Sequence, residues 1–207
     1  MEYQLHLKKD KKFAPLLLEA NHVIKKRKNT PVRLMASIIS QQLSTKVAAI
    51  IFGRFIALFE GKEPSCEQVL ECTNDQLRSI GLSQSKVNYI QNVAQFFLEH
   101  QITDKQLYAM KPDAIIELLT QIKGVGKWTV QMLMLFSLGQ EDVFAVDDLG
   151  IQQAMIRLYK IKYETKKELH AKMLTISSKY TPYSSYACLH LWQWKDQGGL
   201  VQTIYLL

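Results

Sequence analysis

The sequence predicts an all-α fold of roughly ten helices. Apolar residues recur at helical spacing in nearly every segment, and capping boxes mark four helix starts. Alternating segments bounded by hairpin turns are lacking, apart from one short extended stretch at 143–146. The chain has 207 residues, of which 47% are hydrophobic and 22% charged, so it is long and apolar enough to bury a large core.

The first three helices follow from apolar stripes. The first stripe consists of Phe13, Leu16, Leu17, Ala20, Val23 and Ile24. A second helix is expected to begin at Thr30, an N-cap before a first-turn proline, and to end near Gln41 and Gln42. The third helix is predicted from Val47, Ile50, Ile51, Phe55 and Leu58.

Four later helix starts carry a Ser or Thr followed three residues on by Glu or Gln. These pairs are Ser65 with Gln68, Thr73 with Gln76, Thr103 with Gln106, and Thr165 with Glu168. Gly81 is expected to end the helix that starts at Thr73. The last long helix is expected to begin at Thr181 and to end before Gly198.

No repeat or linker divides the chain, so we expect one compact helical unit over residues 1–207. Within it, two helical subdomains would flank a cleft, with the seam at the loops beside Gln42 and Gly139.

Composition limits the partners and the compartment. The net charge of +7 and the pI near 9.2 favour a polyanion such as nucleic acid. Three cysteines are too few for a four-thiolate zinc or iron–sulfur site, and their odd number argues against a disulfide framework. No apolar run approaches the roughly 20 residues that span a bilayer, and residues 1–12 form no signal-peptide core. We therefore expect an intracellular protein without a membrane partner.

The most specific segment, LLTQIKGVGKWTV at 118–130, predicts a helix-hairpin-helix over about 113–138. Two glycines one residue apart permit a tight turn and let backbone N–H groups at the next helix start approach an anion. The predicted contacts to DNA phosphate are Gly124, Val125, Gly126, Lys127, Thr129 and, in the segment GLSQSK, Lys86. The alternative is that the glycines only end one helix and ease entry into the next.

A carboxylate pair follows in VFAVDDLGIQQAM, where Asp147 and Asp148 stand at a predicted helix start. Considered alone, such a pair favours N-capping.

The hairpin and the acid pair together resemble the helix-hairpin-helix base-excision DNA glycosylase superfamily, and more narrowly the 3-methyladenine DNA glycosylase II family. The similar segments run through most of the chain in family order. They are ASIISQQLSTKVA at 36–48, LRSIGLSQSKVNYI at 77–90, GVGKWTVQM at 124–132, VDDLGIQQA at 146–154 and TPYSSYACLHLW at 181–192.

The resemblance implies roles for particular residues. Asp148 matches the catalytic aspartate, a carboxylate that can stabilise the positive charge on the sugar as an N-glycosidic bond breaks. Asp147 is then left as the N-cap. Trp128 stands where bifunctional members of the superfamily carry a lysine nucleophile, so the resemblance implies a monofunctional hydrolase. Trp128 and Trp192 match aromatic residues of the base pocket, where indole faces suit a cationic alkylated purine. Core packing is the alternative for either tryptophan.

The resemblance also places Gln42, aided by Gln41, as the wedge that fills the gap left by the extruded nucleotide. It suggests a sodium or potassium ion on the backbone carbonyls of Thr120, Ile122 and Val125. No cofactor is otherwise expected to be required, no iron–sulfur cluster is expected, and no separate N-terminal β subdomain is expected.

The implied activity is hydrolysis of 3-methyladenine, and by extension 7-methylguanine, from damaged double-stranded DNA after base flipping. The protein would act as a monomer in the cytoplasm or nucleoid, or in a nucleus. Two alternatives stay open: a glycosylase for an oxidised or deaminated base, and a non-catalytic helix-hairpin-helix DNA-binding protein.

Overall fold

The computed structural model describes residues 1–18 and 21–196. Within these residues the chain is helical, with one isolated bridge between Lys26 and Leu138 and no β-strand, which confirms the predicted fold class. The α-helices of the described chain are α1 (Glu2–Leu7), α2 (Thr30–Ser40), α3 (Thr45–Ala57), α4 (Cys66–Glu71), α5 (Asn74–Ser79), α6 (Gln84–Glu99), α7 (Asp104–Ala109), α8 (Pro112–Leu119), α9 (Lys127–Phe136), α10 (Leu149–Tyr159), α11 (Lys166–Ser177) and α12 (Ser184–Lys195). Two 3₁₀ helices lie at Ala14–Leu18 and Ser178–Tyr180. None of these helices is long and apolar enough to cross a membrane.

The described residues form two compact units. The first unit takes residues 1–18, 21–24 and 140–196, and the second takes residues 25–139. The predicted boundary beside Gly139 is thus confirmed, but the one beside Gln42 is wrong. The reason is that α2 packs against α3 as well as against α6 and α9, so the turn after α2 joins two helices of one core.

Helix α2 is the central element of the second unit, and its start differs from the prediction. Asn29 is the N-cap and Thr30 the first helical residue. The Asp104 carboxylate accepts the backbone N–H groups of Asn29 and Thr30 at 2.8 and 2.9 Å, and the Thr30 hydroxyl at 2.5 Å. The first turn of α2 is therefore capped by α7 and not by its own sequence.

The apolar stripe that begins at Phe13 does not form the predicted helix. The chain turns at Asp10, whose carboxylate accepts the N–H groups of Lys12 and Phe13 at 2.9 and 3.3 Å, and then enters the 3₁₀ helix. Residues 21–24 are not helical, and Ala20 lies outside the described residues. Phe13, Leu16 and Leu17 are nevertheless buried as core residues, because the spacing that indicated a helix face also suits a short turn packed on the core.

Capping boxes predicted the helix starts well. Ser65, Thr73 and Thr103 each form the full reciprocal box at α4, α5 and α7. At α11 the Thr165 hydroxyl accepts the Glu168 N–H at 3.2 Å as predicted. The Glu168 side chain does not return this bond, because it accepts the N–H of Glu164 at 2.8 Å instead.

The 143–146 segment is a loop and not a strand. Two of its backbone N–H groups bond outside any strand ladder, since Val143 donates to the Ser185 hydroxyl of α12 at 3.0 Å and Val146 donates to the Phe144 carbonyl at 2.9 Å. Helix α12 begins at Ser184, close to the predicted start. The predicted end at Gly198 lies outside the described residues.

Two histidines meet in the core of the first unit. His190 of α12 is 1% exposed, and its ring centroid lies 4.5 Å from that of His22. The aromatic rings of Tyr3 and Phe13 also face His190. Burial, together with the charge of His22, lowers the pKa of His190 from 6.5 to about 4.

This lowered pKa makes stability depend on pH. Between pH 6.5 and 4, His190 is protonated in the unfolded chain but stays neutral in the folded protein. The stability that neutral His190 allows is therefore fully present above about pH 6.5 and is lost as the pH falls toward 4. Between pH 7.5 and 4.5, the free energy of unfolding should fall by about 2 kcal/mol more in the wild type than in His190→Phe. Urea unfolding at the two pH values measures this difference. Equal losses in both proteins would contradict it.

Candidate active site

The hairpin of the second unit joins α8 to α9 through a tight turn. The Val125 N–H donates to the Ile122 carbonyl at 3.0 Å, and Gly124 has a φ of +102°. A Cβ on Gly124 would overlap the ring of Tyr89, which packs directly against it. From α6, the Asn92 side chain donates to the Lys123 carbonyl at 3.1 Å. This turn therefore requires glycine at 124 both for its backbone conformation and for the close approach of Tyr89.

Gly126 differs from Gly124 in both respects. It is the N-cap of α9, with an ordinary φ of −92°, and a Cβ placed there would meet no atom within 4 Å. No side chain caps the helix, and the first backbone bond of α9 runs from the Val130 N–H to the Gly126 carbonyl at 3.1 Å. The start of α9 is therefore open to an approaching anion.

The residues predicted to contact phosphate differ in their exposure and in their hydrogen bonds. Gly126 and Lys127 are exposed, and Gly124 is half-buried. The N–H of Val125 donates to the Ile122 carbonyl inside the turn, and its predicted phosphate contact stays a prediction. Thr129 is 3% exposed and its hydroxyl lies 3.4 Å from the Gln41 amide, so only its backbone, and not its side chain, can serve an anion.

Trp128 is the second residue of α9 and is half-buried. Neighbouring Lys127 is exposed and points about 100° away around the helix. The Trp128 indole is thus partly exposed in the first turn of α9, and its contact to a flipped base stays a prediction.

The two glutamines that follow α2 lie in a turn. Gln41 is the C-cap of α2, and its amide donates to the Thr129 hydroxyl. Gln42 is exposed and adopts a left-handed φ of +59°, which is uncommon for a residue other than glycine. The side chain predicted to act as the wedge is therefore displayed by a turn of defined geometry.

Lys86 makes contacts within the protein through two of the three donors of its ammonium, and its predicted phosphate contact stays a prediction. Its ammonium donates to the carbonyls of Ile39 and Gln41 at 2.7 and 2.9 Å. Desolvation in this half-buried position lowers the pKa of Lys86. The side chain reaches across from α6 to the end of α2 and is engaged there.

In the first unit, Asp148 caps α10. Its Oδ1 accepts the Ile151 N–H at 2.9 Å and the Trp192 indole N–H at 2.8 Å. The residue is 9% exposed. Two donors on one oxygen fix the orientation of this carboxylate in a nearly closed environment. The capping role predicted for Asp147 is thus wrong, because Asp148 occupies the N-cap position.

Trp192 lies behind the carboxylate and is only 5% exposed. Its predicted contact to the flipped base stays a prediction. Its indole N–H holds Asp148 from α12, which gives Trp192 a positioning role. Gly150 makes this contact possible, since a Cβ there would come within 3.0 Å of the indole Cδ1 and 3.1 Å of the Asp148 Oδ1. Sequence reasoning missed Gly150, although its place two residues after the acid was the available signal.

Gln152 and His170 support the loop that carries Asp148, and neither was predicted. The Gln152 amide donates to the Val146 carbonyl at 2.9 Å and lies 3.0 Å from the His170 Nε2. Asp147 is one-third exposed, with its carboxylate 3.8 Å from the His170 Nδ1. The two adjacent acids thus have different environments.

The structure brings the predicted residues together in two groups. Asp148 and Trp192 meet in the first unit. In the second unit, Gln41 contacts Thr129 and Lys86, and Trp128 shares the first turn of α9 with Thr129. Among the described residues, no group of three His, Cys, Asp or Glu side chains is placed to hold a metal ion.

Comparison with known proteins identifies the family of this chain. Residues 35–179 match the HhH-GPD superfamily of base excision DNA repair proteins. DNA-3-methyladenine glycosylase 1 of Schizosaccharomyces pombe is 33% identical over 163 residues, which cover 77% of this chain and 70% of that protein. YfjP of Bacillus subtilis is 32% identical over 166 residues, so the chain matches 77% of its own length but only 57% of that relative.

A solved structure extends the comparison to the fold. The S. pombe 3-methyladenine DNA glycosylase Mag1, in complex with abasic DNA, superposes with a TM-score of 0.80 at 29% identity. The superposition covers 93% of this chain and 96% of Mag1. On the matched residues, the helical fold and the hairpin, this chain belongs to the HhH-GPD superfamily of base excision DNA repair proteins.

Proposed function

We propose that this protein is a DNA glycosylase that hydrolyses the N-glycosidic bond of alkylated purines, chiefly 3-methyladenine and also 7-methylguanine. The observation that carries the proposal is the Asp148 carboxylate, buried and oriented by the Trp192 indole and the Ile151 N–H. The names of its relatives, DNA-3-methyladenine glycosylases, support the choice of substrate.

The chemistry follows from one fixed negative charge. As the bond between C1′ and the base nitrogen breaks, the electron pair leaves with the base and positive charge develops on the sugar. Asp148 stabilises that charge and orients a water, whose oxygen bonds to C1′ while one of its protons passes to the Asp148 carboxylate. Because hydrogen bonds already orient the carboxylate, little reorganisation is needed during the reaction.

The base must leave the duplex to reach this carboxylate. The Trp128 indole supplies a face for a cationic alkylated purine, an attraction of roughly 0.5–2 kcal/mol. An indole at this position cannot form a Schiff base with the sugar, and the exposed Lys127 lies on another side of α9. The proposed enzyme therefore releases the base without cutting the strand.

DNA would be held mainly through its phosphates. The open start of α9 at Gly126 and Lys127 offers backbone amides and a positive side chain, and Gln42 would enter the base stack. Such contacts carry little sequence information, so affinity should depend on salt more than on sequence. We propose double-stranded DNA with damaged bases as the partner, a monomer as the acting form, and the cellular compartment that holds DNA as its place of action.

A sodium or potassium ion could join the hairpin to a phosphate. Of the three carbonyls suggested for it, that of Ile122 accepts the Val125 N–H, which leaves its second lone pair for an ion. The turn is consistent with such a site. The ion would supply positive charge toward a phosphate and would take no part in bond cleavage.

The proposal is tested by incubating methylated genomic DNA with the protein and identifying the released bases by mass spectrometry. We expect methylated purines and intact strands. Release of oxidised or deaminated bases alone from suitably damaged DNA would establish the alternative glycosylase. A β-elimination product, or protein trapped on DNA by borohydride, would overturn the monofunctional assignment.

A further inference from the structure

The end of α2 is completed by a residue from another helix. Within the turn, the Ile38 and Ser40 carbonyls accept the N–H groups of Gln41 and Leu43 at 3.3 and 3.1 Å. The Ile39 and Gln41 carbonyls, which alternate with them, accept the ammonium of Lys86. Backbone and Lys86 thus share the last carbonyls of the helix.

This arrangement restricts the segment that leads to Gln42. A positive charge at a helix C-terminus is favourable because the helix dipole and the unpaired carbonyls are negative there. Lys86 anchors the carbonyl of Gln41, the residue directly before Gln42, while the Gln41 side chain is tied to Thr129. Gln42 then follows in its left-handed conformation with its side chain exposed.

We infer that Lys86 is a positioning residue for DNA base extrusion, which holds the Gln41–Gln42 turn in the conformation that presents Gln42 to the gap in the duplex. The inference rests on the wedge role of Gln42 under the proposed function. It is distinct from the predicted phosphate contact because it concerns the two hydrogen bonds that the Lys86 ammonium donates within the protein, where desolvation lowers its pKa.

The test is a double-mutant cycle between Lys86 and Gln42. The variants are Lys86→Met, which keeps the length of the stem, Lys86→Arg, Gln42→Ala and the double variant. Lys105→Met, an exposed lysine of α7, is the matched control. Single-turnover release of 3-methyladenine, the affinity for undamaged duplex at several salt concentrations, and thermal unfolding are measured for each.

We expect Lys86→Met to slow base release roughly tenfold, with affinity for undamaged duplex and its salt dependence unchanged. Lys86→Arg should restore most of the rate because a guanidinium can also donate to two carbonyls. In the Gln42→Ala background, Lys86→Met should cause little further loss, because it acts through the side chain already removed. Lys105→Met should behave as the wild type.

Independent, multiplicative losses in the double variant would overturn the inference, and so would a salt dependence reduced by about one phosphate contact in Lys86→Met. If Lys86→Met does not fold, Lys86→Gln, which retains a donor, enters the same cycle. Unchanged base release in Gln42→Ala would overturn the wedge itself, and the inference with it. That outcome is distinguishable from a failure confined to Lys86.

Discussion

Replacing Asp148 with asparagine is expected to reduce base release roughly 1,000-fold, because the carboxylate is the negative charge that stabilises the sugar cation. Asparagine suits this test because it can keep both structural contacts. Its side-chain oxygen can still accept the Ile151 N–H and the Trp192 indole N–H, and asparagine is as good an N-cap as aspartate. The fold and the binding of an abasic-site analogue should therefore be retained.

Alanine at the same position would mix two effects. Asp148→Ala removes the cap of α10, at a cost of about 1 kcal/mol, and leaves a buried indole N–H without this acceptor. A loss of activity in that variant would therefore not isolate the role of the charge.

The neighbouring acid supplies the matched control. Asp147→Asn removes the same charge one residue away, from a side chain that is one-third exposed and does not cap the helix. We expect its rate of base release to stay within about threefold of the wild type, since this carboxylate is partly solvated and caps no helix. Single-turnover release of 3-methyladenine, with affinity for abasic duplex measured in parallel, compares the two variants. Undiminished release by Asp148→Asn would remove the proposed mechanism.

Features encoded by short stretches of sequence could be predicted. The hairpin was found from two glycines one residue apart, and the starts of α4, α5 and α7 from capping boxes that the structure reproduces. In these cases the residues that determine the structure are separated by only a few positions.

Contacts between distant parts of the sequence could not be predicted. Lys86 meets Gln41 across 45 residues, Trp192 meets Asp148 across 44, and Asp104 caps α2 from 74 residues away. The sequence of one segment shows that each of these side chains is polar or aromatic, but it does not show which distant residue the side chain contacts. The prediction of Asp147 as the N-cap was wrong for another reason. Helix boundaries read from sequence are uncertain by one or two residues, and a shift of one residue makes Asp148 the N-cap.

The two hairpin glycines are expected to differ strongly in how much the same substitution changes stability. Gly124→Ala should destabilise the protein by about 3 kcal/mol, because its φ of +102° disfavours any residue with a Cβ and because that Cβ would overlap Tyr89. Gly126→Ala should change stability by less than about 1 kcal/mol, since its backbone is extended and its Cβ would meet open space. Thermal or urea unfolding of the two variants measures this contrast.

DNA binding should reveal why the space at Gly126 is open. If phosphate approaches the amides at the start of α9, a methyl group at position 126 stands in its path, and Gly126→Ala should weaken binding to undamaged and abasic duplexes alike, roughly tenfold. Gly53→Ala is the matched control, because its Cβ also enters open space but on the body of α3. Fluorescence anisotropy with both duplexes gives the affinities. A folded Gly126→Ala protein that binds both duplexes as tightly as Gly53→Ala would mean that the second glycine only eases entry into α9, and the hairpin would then not be the phosphate-binding element.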